Sequence, residues 1–283
     1  MNFVVVTPIL NGGRYLSECI NSIRNQTHAI WTHIIVDAGS TDDSLEIAQR
    51  ACDEDPRIQL IHAPNTSIYH AIDKGFSCTI GPRDILCWLN SDDMFLPWAF
   101  SEVIRAMSES TISWVTGQPA LWDTDGALRV VLPRAQYIRS LIRRGWYHDN
   151  LLGHIQQEST FFKRALYDEL SAIDLQRFQE AKLAGDYHLW RAFAKHEKLV
   201  SVPTVLSGYR THNHNRSRLE ANQYYQEMAE FGAPNLPQPM VKYARTISDI
   251  LSAIKLIYTT RSSLKRVNDE AIASETRPIR RHQ

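Results

Sequence analysis

A chain of 283 residues, 43% hydrophobic and 22% charged, is long enough to bury a full core as one large domain, or as one domain with an appendage. Lys and Arg (31) balance Asp and Glu (31), so no global field points to nucleic acid or an acidic partner, and no nucleic-acid partner is expected. The apolar run at Met1 to Val6 is too short for a signal peptide and no run approaches a bilayer span, so the chain reads as cytoplasmic, with peripheral contact at the inner face of a membrane left open.

Phe3 to Val6 is a β-branched run stopped by Thr7-Pro8, which predicts a strand followed by a loop through Asn11-Gly12-Gly13. Leu16, Cys19, Ile20 and Ile23 have helical spacing. His33 to Asp37 is the next strand, broken by Ala38-Gly39-Ser40, and Ser44 opens a short helix. Ile58 to Ile61 is a third strand, and Ile68 to Phe76 a helix with Ser67 as its cap. Ile85 to Leu89 is a short buried-type strand that ends in Asn90-Ser91-Asp92-Asp93, and Pro97 to Met107 is a helix. Strands and helices alternating at this spacing predict an α/β fold, a mostly parallel sheet with helices on both faces. Three polar strand ends, Thr7 to Asn11, Asp37 to Asp43 and Asn90 to Asp93, then lie along one edge and line one crevice.

From Trp114 the pattern loosens. Trp114 to Thr116 and Leu128 to Leu132 read as short strands with a turn at Asp123 to Gly126, and Gly145 to His154 as an aromatic-rich loop. Ser159 to Leu170 reads as helical, and a further helix starts at Asp186 after Gly185. Leu199 to Val202 and Val205 to Tyr209 are strands, and Pro234, Pro237 and Pro239 mark a linker. An apolar stripe from Met240 to Tyr258, surrounded by Lys and Arg, predicts an amphipathic extension that packs on the domain. A homo-dimer or peripheral membrane contact through residues 240–266 is the sharper alternative. The expected units are 1–232, with halves 1–113 and 114–232, then the extension 233–267 and a disordered tail 268–283. Cys19, Cys52, Cys78 and Cys87 have no paired spacing and each sits in an apolar pattern, which predicts reduced core thiols.

Asp92 and Asp93 repel one another and lose hydration at a strand end; a bound cation relieves both penalties, although a solvated turn with Asp93 capping the next helix is the simpler account. His212 and His214 alternate on an extended segment and could chelate, although two histidines in a polar loop are more often unliganded, and the same holds for His148 and His154.

Several segments together resemble the inverting family 2 glycosyltransferases of GT-A fold. Val4-Val5-Val6-Thr7-Pro8-Ile9-Leu10-Asn11 is similar to that family's first strand and nucleotide loop, Ile35 to Asp42 to its second strand end, and Leu89-Asn90-Ser91-Asp92-Asp93 to its metal-binding acidic motif. Tyr69 to Gly75, Gln156 to Arg164, Gly185-Asp186-Tyr187-His188-Leu189-Trp190 and Tyr209 to His212 resemble segments of a bacterial polysaccharide branch. Asp73 stands where that branch has Asn, and His70 and His188 where it often has Asp. The resemblance covers roughly the first two hundred residues and keeps the order of motifs.

It implies transfer from a nucleotide-diphosphate sugar, UDP by default, to a glycan or lipid-linked acceptor in cell-surface polysaccharide or lipopolysaccharide assembly. Thr7, Pro8, Asn11, Asp37, Lys74, Asn90 and Asp92 would contact the nucleotide sugar. Asp93, Asp92 and His212 would hold Mn2+ or Mg2+, compensating the diphosphate. Asp186 would be the general base, with Glu158, otherwise read as a surface helix residue, in reserve. A sugar-nucleotide pyrophosphorylase, suggested by the partial echo Gly12-Gly13-Arg14, and a non-catalytic nucleotide-sugar-binding subunit are the alternatives.

Overall fold

The computed structural model describes residues 1–109, 111–237, 239–248 and 250, in two units, Met1–Asn235 and Leu236–Gln283. The first unit opens with β1 (Phe3–Ile9), α1 (Gly13–Arg24), β2 (Trp31–Asp37), α2 (Ser44–Glu54), β3 (Ile58–His62), α3 (Ile68–Phe76) and β4 (Ile85–Trp88). Strands β1 to β4 are mutually parallel where they pair. Their side chains alternate between two cores. Val4, Val6, Ile34 and Val36 join Trp88, Trp114, Phe162, Trp190 and Phe193 on one face. Phe3, Val5 and Ile35 join Leu16, Cys19, Ile20 and Phe100 on the other. Burial on both faces is why these strands are apolar without interruption.

β5 (Met94–Phe95), α4 (Ala99–Met107), β6 (Trp114–Thr116), β7 (Ala120–Trp122), β8 (Leu128–Val131) and α5 (Arg139–Arg143) follow. After a 3-10 turn at Gln157–Ser159 come β9 (Thr160–Lys163), α6 (Arg164–Asp168), α7 (Ala172–Glu180), α8 (Gly185–His196), β10 (Val200–Ser201), β11 (Ser207–Arg210), α9 (Arg216–Leu219) and α10 (Ala221–Glu230). The main sheet runs β10-β6-β9-β4-β1-β2-β3, with β9 antiparallel to both neighbours; a smaller sheet runs β5-β11-β7-β8. Strands β6, β9 and β10 therefore complete the sheet begun by the first 113 residues.

β1 sits at the switch point. The chain builds β2 and β3 on one side of it and returns through α3 to place β4 on the other. Pairing with β4 ends at Val6–Trp88, whereas pairing with β2 continues to Ile9–Asp37. The side of Thr7 to Ile9 toward Leu89 to Asp93 is left unpaired there, at the switch point where doubly wound sheets have their ligand crevice.

Four expectations change. Ser159 to Leu170 is not one helix: Thr160–Lys163 is strand β9 and only Arg164–Asp168 is helical. Phe161 packs into one core and Phe162 into the other, a period of two that tertiary packing imposes. Asp93 caps no helix, since β5 intervenes and α4 begins after Trp98. Cys19 and Cys87 are buried, but Cys52 is half-buried and Cys78 lies exposed in the turn after α3; all four are free thiols. The helices α7 and α10 were not anticipated. In the second unit residues 239–248 are helical; the rest of the expected stripe, from residue 251, and the tail 268–283 lie outside the described residues. Among the described residues no helix is long and apolar enough to cross a membrane.

Candidate active site

The three strand-end loops touch. Asn11, in the left-handed region at φ 56°, takes Ser40 Oγ on its N–H at 3.0 Å, and its side-chain oxygen accepts the Thr41 N–H at 2.8 Å. The Gly12 N–H donates to Ser44 Oγ and the Gly13 N–H to Asp42 Oδ2. A Cβ at Gly12 would overlap Ser91 Oγ, and one at Gly13 would overlap the Asp43 carboxylate. Only glycines let the first loop lie this close to the other two.

At the end of β4, Asp93 is 1% exposed. Its Oδ1 accepts the Arg210 backbone N–H at 2.8 Å, while its Oδ2 is buried without a hydrogen-bond partner. Burial, then the charges of Asp92 and Glu158, push its carboxyl well above the ordinary range, against the pull of Arg210. Asp92 Oδ2 accepts from His212 Nε2 at 2.9 Å. The His214 N–H donates to His212 Nδ1 at 3.1 Å, which puts the imidazole proton on Nε2, toward Asp92. Ligation of a cation by His212 would require that proton to leave. Arg210, whose guanidinium is wholly buried, staples the site: Nε donates to Asp92 O at 2.6 Å, one terminal nitrogen to Thr124 O at 3.1 Å and the other to Glu18 Oε2 at 2.6 Å. Its role was missed in the sequence, where it stands between Tyr209 and Thr211 in a matched segment.

The remaining residues expected to meet a nucleotide differ in placement. Asp37 is wholly buried; its oxygens accept the N–H groups of Gly39 and Ser40, each at 3.0 Å, and His62 Nδ1 at 2.9 Å. Burial pushes its pKa up, but hydrogen bonds from Ser40, Gly39 and His62 outweigh it and hold the carboxyl below its usual value. Thr7 turns its hydroxyl inward to His33 Nε2 at 2.8 Å, so only its backbone faces the crevice edge, followed by the half-buried Pro8. Asn90 Nδ2 donates to Gln157 Oε1 at 3.4 Å. Lys74 is exposed in the last turn of α3. That helix runs back against the strands, and just beyond Lys74 the carbonyls of Phe76 and Thr79 bind Arg164, whose N–H meets Asp84 O before β4. Lys74 therefore lies toward the amino edge and is not brought to the crevice.

Asp186 occupies the first turn of α8, half-buried. A Cβ at Gly185 would stand 2.7 Å from the Tyr69 ring, so the glycine permits the contact that sets Tyr69 Oη 3.4 Å from Asp186 Oδ1. Burial pushes Asp186 up to about 6, although the Tyr187 N–H, His154 and Tyr69 all oppose it. Glu158 is the larger surprise. It is 5% exposed in the turn before β9, its Oε1 lacks a partner, and burial first of all pushes it up to about 7. A surface-helix reading of it is wrong, because the expected helix is a turn and strand. His154, held by Asp149 at 2.6 Å, lies within electrostatic reach of both Glu158 and Asp186. Two of the three departures, Asp73 and His188, are packing residues: Asp73 accepts from Tyr167 Oη and Gln179 Nε2, and His188 is buried near Asp174.

Buried carboxylates stand at the switch point of a doubly wound α/β sheet, the place where proteins of that class commonly bind polar ligands. Residues 4–170, more than half of the chain, match the family model of Glycosyl transferase family 2, and the chain belongs to that family. An uncharacterised glycosyltransferase of Rickettsia felis is 24% identical over 221 residues, 78% of this chain and 35% of that protein. The chain thus spans about a third of the length of such relatives. Among solved structures, S. aureus TarS 1-349 in complex with UDP-GlcNAc superimposes with a TM-score of 0.62 at 14% identity, over 87% of this chain and 70% of that one. Mannosyltransferase PcManGT of Pyrobaculum calidifontis, in complex with GDP-Man and Mn2+, gives 0.56 at 13% identity, over 96% and 80%. The fold shared with them is the GT-A fold.

Proposed function

We propose that this chain transfers a sugar from a nucleotide-diphosphate sugar, with UDP the first nucleotide to test, to an acceptor hydroxyl with inversion at the anomeric carbon. The observation that carries the reading is Asp186: a half-buried carboxylate at a helix amino end, raised to about 6, is ionised at neutral pH yet basic enough to take a hydroxyl proton. The acceptor oxygen bonds to the anomeric carbon as its proton passes to Asp186. The bond from that carbon to the diphosphate breaks, and its electron pair leaves with the diphosphate.

The orphaned Asp93 Oδ2 fits a hard divalent cation, Mn2+ or Mg2+, with Asp92 beside it. Such an ion, when bound, compensates the charge of the leaving diphosphate. His212 then orients Asp92, and the backbone of Thr7 and Pro8 with Asn11, Asn90 and Asp37 forms the nucleotide wall. TarS binding UDP-GlcNAc and PcManGT binding GDP-Man with Mn2+ support this donor class and metal. A glycan or lipid-linked acceptor in cell-surface polysaccharide or lipopolysaccharide assembly is the partner that the branch resemblance supports.

The test is a thermal-shift screen of nucleotide sugars with and without Mn2+, followed by product analysis with the stabilising donor. Nucleoside diphosphate release and inverted product are expected, and Asp186→Asn should lose transfer while keeping donor-dependent stabilisation. Pyrophosphate as the product would overturn the reading in favour of a pyrophosphorylase.

A further inference from the structure

Among the described residues two buried carboxylate oxygens have no hydrogen-bond partner. Asp93 Oδ2 and Glu158 Oε1 are both without a hydrogen-bond partner, and their side chains are close enough for each to feel the acid motif's charge. Leaving one such oxygen dry is costly; leaving two in one another's field is costlier.

Glu158 is wedged there by its neighbours. Gln157 Nε2 donates to Trp88 O at 2.6 Å, at the end of β4, and its Oε1 accepts from Asn90. On the other side Ser159 Oγ donates to Ser207 O at 3.2 Å, in the strand that ends at Arg210, and Ser207 Oγ donates to Met94 O at 2.7 Å. The turn is thus clamped between the two elements that supply Asp93 and its Arg210 partner. The charges of Arg210 and His154 reach these carboxylates, but neither side chain bonds the two bare oxygens. Arg210 gives Asp93 only its backbone N–H and turns its guanidinium to Asp92 O, Thr124 O and Glu18, while His154 is paired with Asp149.

We infer that Glu158 is a ligand of the same divalent cation as Asp93, so that the metal centre is built from the end of β4 and the turn before β9 and not from the paired aspartates alone. The inference rests on the metal reading proposed above. Among the described residues no three Asp, Glu, His or Cys side chains already stand together as a complete ligand set. Diphosphate oxygens and water then fill the remaining positions, as hard cations commonly require, and the nucleotide tightens the metal.

The experiment is a Mn2+ titration, followed by the EPR signal of free Mn2+, with and without UDP, on the unaltered chain, Asp93→Asn and Glu158→Gln. Both variants should bind Mn2+ about tenfold more weakly or worse, the scale on which even supporting groups act. Glu158→Gln without metal should melt no lower than the unaltered chain, because it removes a dry charge, and should lose the Mn2+-induced rise in melting temperature. Glu158→Met serves if the Gln variant does not fold. Unchanged Mn2+ binding in the Glu158 variants, with loss in Asp93→Asn, would overturn this inference and leave the proposed function standing. No Mn2+ binding by the unaltered chain in the presence of UDP would overturn the metal reading and this inference together.

Discussion

Replacing Arg210 by methionine tests whether the site is held together by one buried guanidinium. The substitution removes three side-chain bonds, at 2.6 Å to Asp92 O, 3.1 Å to Thr124 O and 2.6 Å to Glu18, and the stacking of the guanidinium 4.5 Å from the Tyr15 ring centre. The two bonds to carbonyls are charge-assisted and dry, about 2 kcal/mol each. The third contributes less, about 0.5 kcal/mol, because the Glu18 side chain is 49% exposed and water can replace its partner. Methionine recovers part of the loss, since it spares the desolvation of a wholly buried cation and fills the space beside Tyr15. The net cost is about 3 kcal/mol. For a chain of this size that lowers the thermal midpoint by about 6–12 °C. Arg210→Lys keeps the charge but not the planar fork, and should recover about half of it. Differential scanning calorimetry on the three proteins decides the matter. A midpoint for Arg210→Met within about 2 °C of the unaltered chain would show that the staple is dispensable and that backbone pairing alone positions the acid motif.

Three further outcomes follow from the same geometry. Transfer should rise with pH through about 6 as Asp186 loses its proton, so kcat/KM measured from pH 5 to 8 should show that limb; a flat profile would dismiss Asp186 as the base. Gly185→Ala puts a methyl 2.7 Å from the Tyr69 ring, which should cost about 1–3 kcal/mol in urea denaturation and weaken transfer, whereas an unchanged midpoint would mean that Tyr69 yields freely. His33 is wholly buried, and burial holds its folded pKa at about 3 against 6.5 for an imidazole in water. Its stabilising contribution is present above pH 6.5 and is lost as pH falls through the window below it, by up to about 1.4 kcal/mol per pH unit. His33→Gln should accordingly lose less stability than the unaltered chain between pH 7 and pH 5, and equal losses would reject that linkage.

Much of the first sheet was legible because its signals are local. Phe3 to Val6, His33 to Asp37 and Ile85 to Trp88 are apolar on both faces and stop at polar turns, and that pattern admits little besides parallel strands. Ser67 was a readable cap and accepts the His70 N–H. Ser171 was equally readable as the start of α7, since Asp174 stands three residues on and its N–H bonds Ser171 Oγ. The position of Lys74 could also have been deduced, because a helix between parallel strands runs backward and carries its last turn away from the strand ends. The Thr160 to Lys163 strand could not. Phe161 and Phe162 fit either period, and only the presence of β4 and β6 on its two sides selects pairing.

What the sequence alone determined was the set of acids at strand ends and the order in which they arrive, since strand period, turn residues and motif spacing act over a few residues. Tertiary structure decided which of those acids has an oxygen to spare. Asp37 spends its carboxylate within its own turn and on His62, Asp92 meets His212, and Asp93 keeps one oxygen bare within the field of Glu158. Burial and field are set by groups far away in the chain that pack around a side chain, and no local pattern at Asp93 or Glu158 encodes them.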